Sequence, residues 1–153
     1  MKEKICCFDG GKTKLDAQKT EKLKQILIEI IEKEGVKKFC FLRKSALDDT
    51  AISILKELKP VYPEVLLGLV MPNIDRYKFD FTKKPYDEYD FFLTDTIAEK
   101  TPHGWEIKSW NYYMADCSSH LVCDSTKDNG RAGDTLKYAK SKGDIKVFNI
   151  AEI

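Results

Sequence analysis

Lys4 to Lys12 reads Lys-Ile-Cys-Cys-Phe-Asp-Gly-Gly-Lys, a short apolar run that stops on an acid, two glycines and a base. Residues of these types in this order can meet an anionic ligand. Gly10 and Gly11 let the backbone come close to a bound group, the N–H groups opening a following helix favour negative charge, and Lys12 is a phosphate partner beside them. Asp9 adds a carboxylate at the same turn. The full G-x-G-x-x-G spacing of a dinucleotide site is absent, so the stretch also reads as an ordinary tight turn after a strand. A second polar turn, Arg43-Lys44-Ser45-Ala46-Leu47-Asp48-Asp49-Thr50, follows another apolar run. Ser45 is placed to cap a helix, and Asp48 and Asp49 fall in its first turn, where the helix dipole favours acids; a structural role and a ligand-facing role both fit them.

The elements that must position these turns follow from periodicity. Ile5 to Phe8, Val36 to Leu42 and Val65 to Met71 are continuous apolar runs, as in strands covered on both faces. Between them, Leu23, Ile26, Leu27, Ile30 and Ile31 mark one helical stripe, ended by Gly35, and Leu47, Ala51, Ile54, Leu55 and Leu58 mark another, stopped at Pro60. Three such repeats predict an α/β, three-layer Rossmann-like fold with a mostly parallel central sheet flanked by helices. From Pro72 to Gly104 the pattern loosens. A short helix is expected around Tyr86 to Leu93 and a weak strand near Thr96 to Glu99, within an aromatic stretch that suits either a flat base or packing on a sheet edge. A helix from Trp105 to Cys117, a strand Leu121 to Cys123, a helix through Leu136 and Tyr138 ending near Gly143, and a strand Ile145 to Ile150 complete the chain.

Composition bounds the partners. With 153 residues, the chain reads as a single domain spanning 1–153. Lys plus Arg total 26 against 25 Asp plus Glu, a net charge of +1 that argues against nucleic acid as a partner. No apolar run approaches the roughly 20 residues that cross a bilayer, and the first strand starts too near Met1 for a signal peptide, so no membrane partner and a cytoplasmic location are expected. The cysteines, Cys6, Cys7, Cys40, Cys117 and Cys123, are odd in number, lie mostly in apolar runs and lack paired zinc spacing; reduced core thiols, no metal and no cofactor are expected. His103 and His120 pair with no cysteine at a nucleophile's spacing.

Taken together, these stretches resemble the SLOG superfamily, which includes Smf/DprA and the LOG-type nucleotide phosphoribohydrolases, and look closest to its short YpsA-like branch over nearly the whole length. The branch opens with Cys-Cys-Phe-Thr-Gly-His-Arg, matched by Cys6-Cys7-Phe8-Asp9-Gly10-Gly11-Lys12. Its Gly-Gly-Ala-Leu-Gly-Phe-Asp-Thr turn faces the shorter Lys44-Ser45-Ala46-Leu47-Asp48-Asp49-Thr50, and its Arg-Asn-x-x-Met-Val-Asp-x-Ser helix faces Trp110-Asn111-Tyr112-Tyr113-Met114-Ala115-Asp116-Cys117-Ser118. Its Gly-Gly-Thr-x-x-Thr-x-x-Tyr-Ala segment corresponds to Gly130-Arg131-Ala132-Gly133-Asp134-Thr135-Leu136-Lys137-Tyr138-Ala139.

The resemblance implies a pocket at the strand carboxyl ends that binds a nucleotide or nucleotide-derived small molecule, lined by Asp9, Gly10, Gly11, Lys12, Ser45, Asp49, Asn111, Asp116, Ser118, Gly130, Arg131, Gly133 and Thr135. Asp116 and Ser118 also suit a helix end and a strand start. The departures point away from catalysis: the His-Arg pair is Gly11-Lys12, the Arg before Asn is Trp110, and Tyr138 stands where the LOG hydrolases place their glutamate. No catalytic residues are therefore assigned, and the protein reads as non-catalytic or weakly catalytic. Two alternatives stay open: a protein-interaction domain with a decayed pocket, and an N-glycosidic hydrolase of nucleoside monophosphates in which another aspartate replaces the glutamate. A homodimer is the default that the resemblance implies.

Overall fold

Strands and helices alternate along the chain because apolar runs too short for a helix alternate with stripes of helical period. The computed structural model describes residues 3–11, 13–42, 45–72, 82–84, 86–95, 106–126 and 131–151. Within them lie β1 (Ile5–Asp9), α1 (Ala17–Glu32), β2 (Lys38–Phe41), α2 (Ala46–Leu58), β3 (Leu66–Pro72), β4 (Phe91–Asp95), α3 (Glu106–Asp116), β5 (His120–Cys123), α4 (Arg131–Lys142) and β6 (Lys146–Asn149). The six strands form one sheet in the order β4-β3-β2-β1-β5-β6. Every pairing is parallel, with Cys7 opposite Cys40 and Asp9 opposite Cys123.

Alternate residues of each strand feed two apolar layers. Phe8, Phe39 and Phe41 pack with Leu23, Leu27 and Ile30 of α1 and Leu47, Ala51 and Leu55 of α2. Phe8 and Phe41 stack with ring centroids 4.6 Å apart. On the opposite face, Cys7, Cys40, Leu121 and Cys123 meet Met114 and Ala115 of α3 and Leu136 and Ala139 of α4. Burying one large apolar side chain is worth about 1.5–3 kcal/mol, so the two layers supply the main driving force. The predicted three-layer α/β sheet is what the chain forms. Helix starts match the sequence cues: Asp16 caps α1 by accepting from the Lys19 N–H, and Ser45 caps α2. Gly35, with φ of 69°, turns the chain out of α1 in the left-handed region that glycine adopts without strain.

The stretch after β3 departs from expectation. Tyr86–Glu88 makes a single 3-10 turn and Phe91–Asp95 a strand, where a helix through Leu93 was predicted. The cause is β3: Asp90 donates its N–H to the Leu67 carbonyl, while its Oδ2 accepts the Leu67 N–H at 2.8 Å, and this docks the aromatic run against the sheet. Gly68 makes room for it, because a Cβ there would lie 2.3 Å from the Phe91 ring. Tyr89 is buried and packs near Phe92, so these aromatics serve the core rather than a base-binding face. The strand expected at Thr96 to Glu99 lies outside the described residues. Among those described, no helix is long and apolar enough to cross a membrane.

Candidate functional site

The chain steps outward from β1 through β2, β3 and β4, then returns to place β5 and β6 on the other side of β1. The connections leaving β1 and β5 therefore run to opposite faces of the sheet, α1 onto one and α4 onto the other. Where they part, at the strand carboxyl ends, an open parallel sheet leaves a crevice, the usual place for a ligand. Asp9, Gly10 and Gly11 lie at the mouth of this crevice.

Each residue of that turn has a distinct environment. A Cβ on Gly10 would stand 2.8 Å from the Leu47 Cβ, so glycine is what lets β1 exit against the first turn of α2. Gly11 is exposed, and a Cβ there would meet nothing within 4 Å. Its carbonyl accepts the Ala46 N–H at 3.1 Å, and the Ser45 hydroxyl accepts the Asp48 N–H at 3.2 Å. Two donors of the α2 N-terminus are thus spent on the protein itself, and the second turn offers less to an anion than its sequence suggested.

Two carboxylates sit beneath this turn. Asp9 is 4% exposed and Asp48 only 2%. Both act on the thiol of Cys7, whose pKa is pushed up to about 12, first by burial and further by their negative charges, while a hydrogen bond with Ser118 opposes the rise. Two buried carboxylates thus lie close to Cys7, beneath the turn.

The β5 side is held by polar bonds. The Asp124 N–H points to the Asp9 carbonyl at 3.4 Å, and its carboxylate takes both oxygens to the Lys19 ammonium, at 3.0 and 3.2 Å. Lys19 lies in the first turn of α1, so this ion pair joins the β1 and β5 sides of the crevice. Asn149, buried at the end of β6, accepts the Ser125 N–H at 3.1 Å and donates to the Ser125 carbonyl at 2.9 Å. That pair of hydrogen bonds fixes the start of the β5–α4 connection. Gly133 and Thr135, both buried, lie within the first five residues of α4 beyond it.

The sequence-predicted residues divide into those brought together and those kept apart. Asp9, Gly10, Gly11, Ser45, Asp49, Gly133 and Thr135 belong to elements that end or begin at the strand carboxyl ends, with Asp49 exposed on α2. Lys12 and Gly130 lie outside the described residues, as does the side chain of Arg131 at the start of α4. Asn111 is buried midway along α3. Asp116 and Ser118 are a correction: both lie at the amino edge of the sheet, away from the crevice. A helix joining two parallel strands runs antiparallel to them, so the last turn of α3 lands where β5 begins. There Asp116 accepts from the Tyr138 hydroxyl at 2.6 Å and pairs with Lys142 at 2.9 Å. The Ser118 hydroxyl is fully buried and donates to the Met114 carbonyl at 2.7 Å. The four corners near residues 10, 46, 116 and 132 thus do not share one rim.

His120 also belongs to the amino edge. Its Nδ1 lies 2.7 Å from the Ser119 hydroxyl and its Nε2 3.0 Å from Glu34, while the Ser119 oxygen accepts the Ile5 N–H at 3.1 Å. The cluster clips β1, β5 and the end of α1 together. A separate hollow of about 210 Å³ lies between α2 and β3, floored by Leu55, Val65 and Leu67 and edged by the Lys56–Glu88 pair.

Sequence reasoning missed Lys19, Asp124, Ser125 and Asn149. Asp124 carried a readable signal, an acid directly after a buried strand, and Asn149 is a polar residue inside an apolar run. Nothing separated Lys19 from the other lysines of its helix. No protein-family model matches the chain, and no curated protein matches it.

Proposed function

We propose that the protein binds a nucleotide or nucleotide-derived small molecule in the crevice between the carboxyl ends of β1 and β5, without turning it over. The observation that carries this reading is the exit of β1 at the switch point through Gly10, pressed on Leu47, and Gly11, open to space. A bound group can reach the backbone at Gly11 as it could at no residue bearing a side chain. The surrounding charge supports a ligand with two chemical ends. A phosphate suits the cation of Lys19 at the mouth, with Lys12 directly after Gly11 in sequence, and the Asp9 and Asp48 carboxylates, buried beneath the turn, lend the other end a negative field that suits hydroxyl or amino donors. The SLOG resemblance points to the same ligand class, and the distance of Asp116 from this rim removes one carboxylate from any hydrolytic scheme.

A thermal-shift series with nucleoside monophosphates, cyclic nucleotides and ADP-ribose tests the reading. A ligand at a hundred times its dissociation constant adds about 2.7 kcal/mol of stability. Stabilisation without release of free base is the expected result. Release of base would establish the hydrolase instead, and no shift with any compound at millimolar concentration would favour a protein-interaction domain.

A further inference from the structure

We infer that the Lys19–Asp124 ion pair is a carboxylate latch across the crevice, in which Asp124 occupies the cation that a ligand phosphate would otherwise take. This rests on the binding reading above and names what regulates that same site. Lys19 enters from α1, behind β1, and Asp124 stands one residue beyond β5, so their contact crosses the switch point itself.

The two partners are built differently. Asp124 is the fixed one: its own N–H reaches back to Asp9, and the next residue is held on both sides by Asn149. Its side chain is 15% exposed against 35% for Lys19. Lys19 is the movable one, a flexible stem carrying three donors, of which a carboxylate cannot satisfy all. The Lys19 end of the pair is about a third exposed, so its ammonium can turn to another anion without being uncovered first. A phosphate dianion brings more charge and more acceptors to the same ammonium than a carboxylate does. A ligand must therefore outcompete the Asp124 carboxylate for the Lys19 ammonium, and that competition is the selective element: weakly charged molecules leave the latch closed.

Calorimetric titration with inorganic pyrophosphate and with adenosine monophosphate tests the latch on the wild type, Asp124→Asn, Lys19→Met and the double variant. Asp124→Asn keeps the shape and removes the charge; Asp124→Ser carries the same expectation should the amide disturb folding, which circular dichroism reports. Freed of its partner, Lys19 binds pyrophosphate about tenfold more tightly in Asp124→Asn than in the wild type, and the gain vanishes in the double variant. Unchanged or weakened affinity in a folded Asp124→Asn, with the wild type still binding adenosine monophosphate, overturns the latch and leaves the binding reading standing. A gain that survives in the double variant overturns it as well, because Lys19 is then not the cation released. Absence of binding of either compound to every variant overturns both.

Discussion

Gly10 and Leu47 meet so closely that a β-carbon on the glycine would come within 2.8 Å of the Cβ of the leucine. The end of β1 and the beginning of α2 are therefore one packed unit, and the neighbouring Gly11 carbonyl ties them further through Ala46. Replacing Gly10 with alanine overpacks this joint and should destabilise the protein by about 1–3 kcal/mol in urea denaturation. The same change at Gly11, where the added carbon meets nothing, should move stability by less than about 0.5 kcal/mol while weakening ligand binding. Equal loss of stability at both positions would contradict the assignment of packing to one glycine and access to the other.

Glu34 ties the amino edge together and makes its stability depend on acid. Hydrogen bonds from Lys146, and then from His120, hold its carboxyl below the ordinary glutamate range. A carboxyl with a folded pKa below its unfolded one contributes stability that is full above the unfolded value and lost as pH falls through the folded value. The denaturation midpoint of Glu34→Gln should thus fall below that of the wild type near neutral pH, and the gap should close as pH drops below the ordinary glutamate range. A gap that is constant with pH would show that the carboxylate charge is not what matters there.

The thiols divide by burial. Cys6, Cys7 and Cys40 are fully enclosed and their pKa values are raised, chiefly because burial disfavours the thiolate. Cys123 is equally enclosed, whereas Cys117, at the turn after α3, is half-buried. Under native conditions a thiol reagent should label Cys117 alone, and all 5 cysteines only once the chain is unfolded. Fast native labelling of Cys7 or Cys40 would mean that the face beneath α3 opens far more readily than its packing implies.

Much of this architecture could be read directly because each strand of a doubly covered parallel sheet is a continuous apolar run. Val65 to Met71 needed no partner to be recognised. β4 was different, since Pro85-Tyr86-Asp87-Glu88 looks like a helix opening, and what makes Phe91 a strand residue is the missing side chain of Gly68 on the neighbouring strand. The site was legible where it is local. Ser45 is a cap by its own chemistry, and the Gly10-Gly11 turn follows its strand directly. Asp116 was misplaced because alignment of short motifs carries no polarity, whereas helix direction between parallel strands fixes which pole a residue reaches. Lys19–Asp124 and Ser125–Asn149 are pairs between distant segments, and neither partner alone announces the other.

The bond from the Ile5 N–H to Ser119 spans 114 residues of chain, while β1, β2 and β3 join through single short crossovers. Contacts of long sequence separation form late, after the entropy of the intervening loop has been lost. The half-sheet from β1 to β4 can therefore assemble early, and the seam between β1 and β5 closes only after synthesis has passed Cys123. Any small molecule lodged in that seam would act as a staple between the early and late halves. Its presence should register as slower unfolding as well as tighter equilibrium stability.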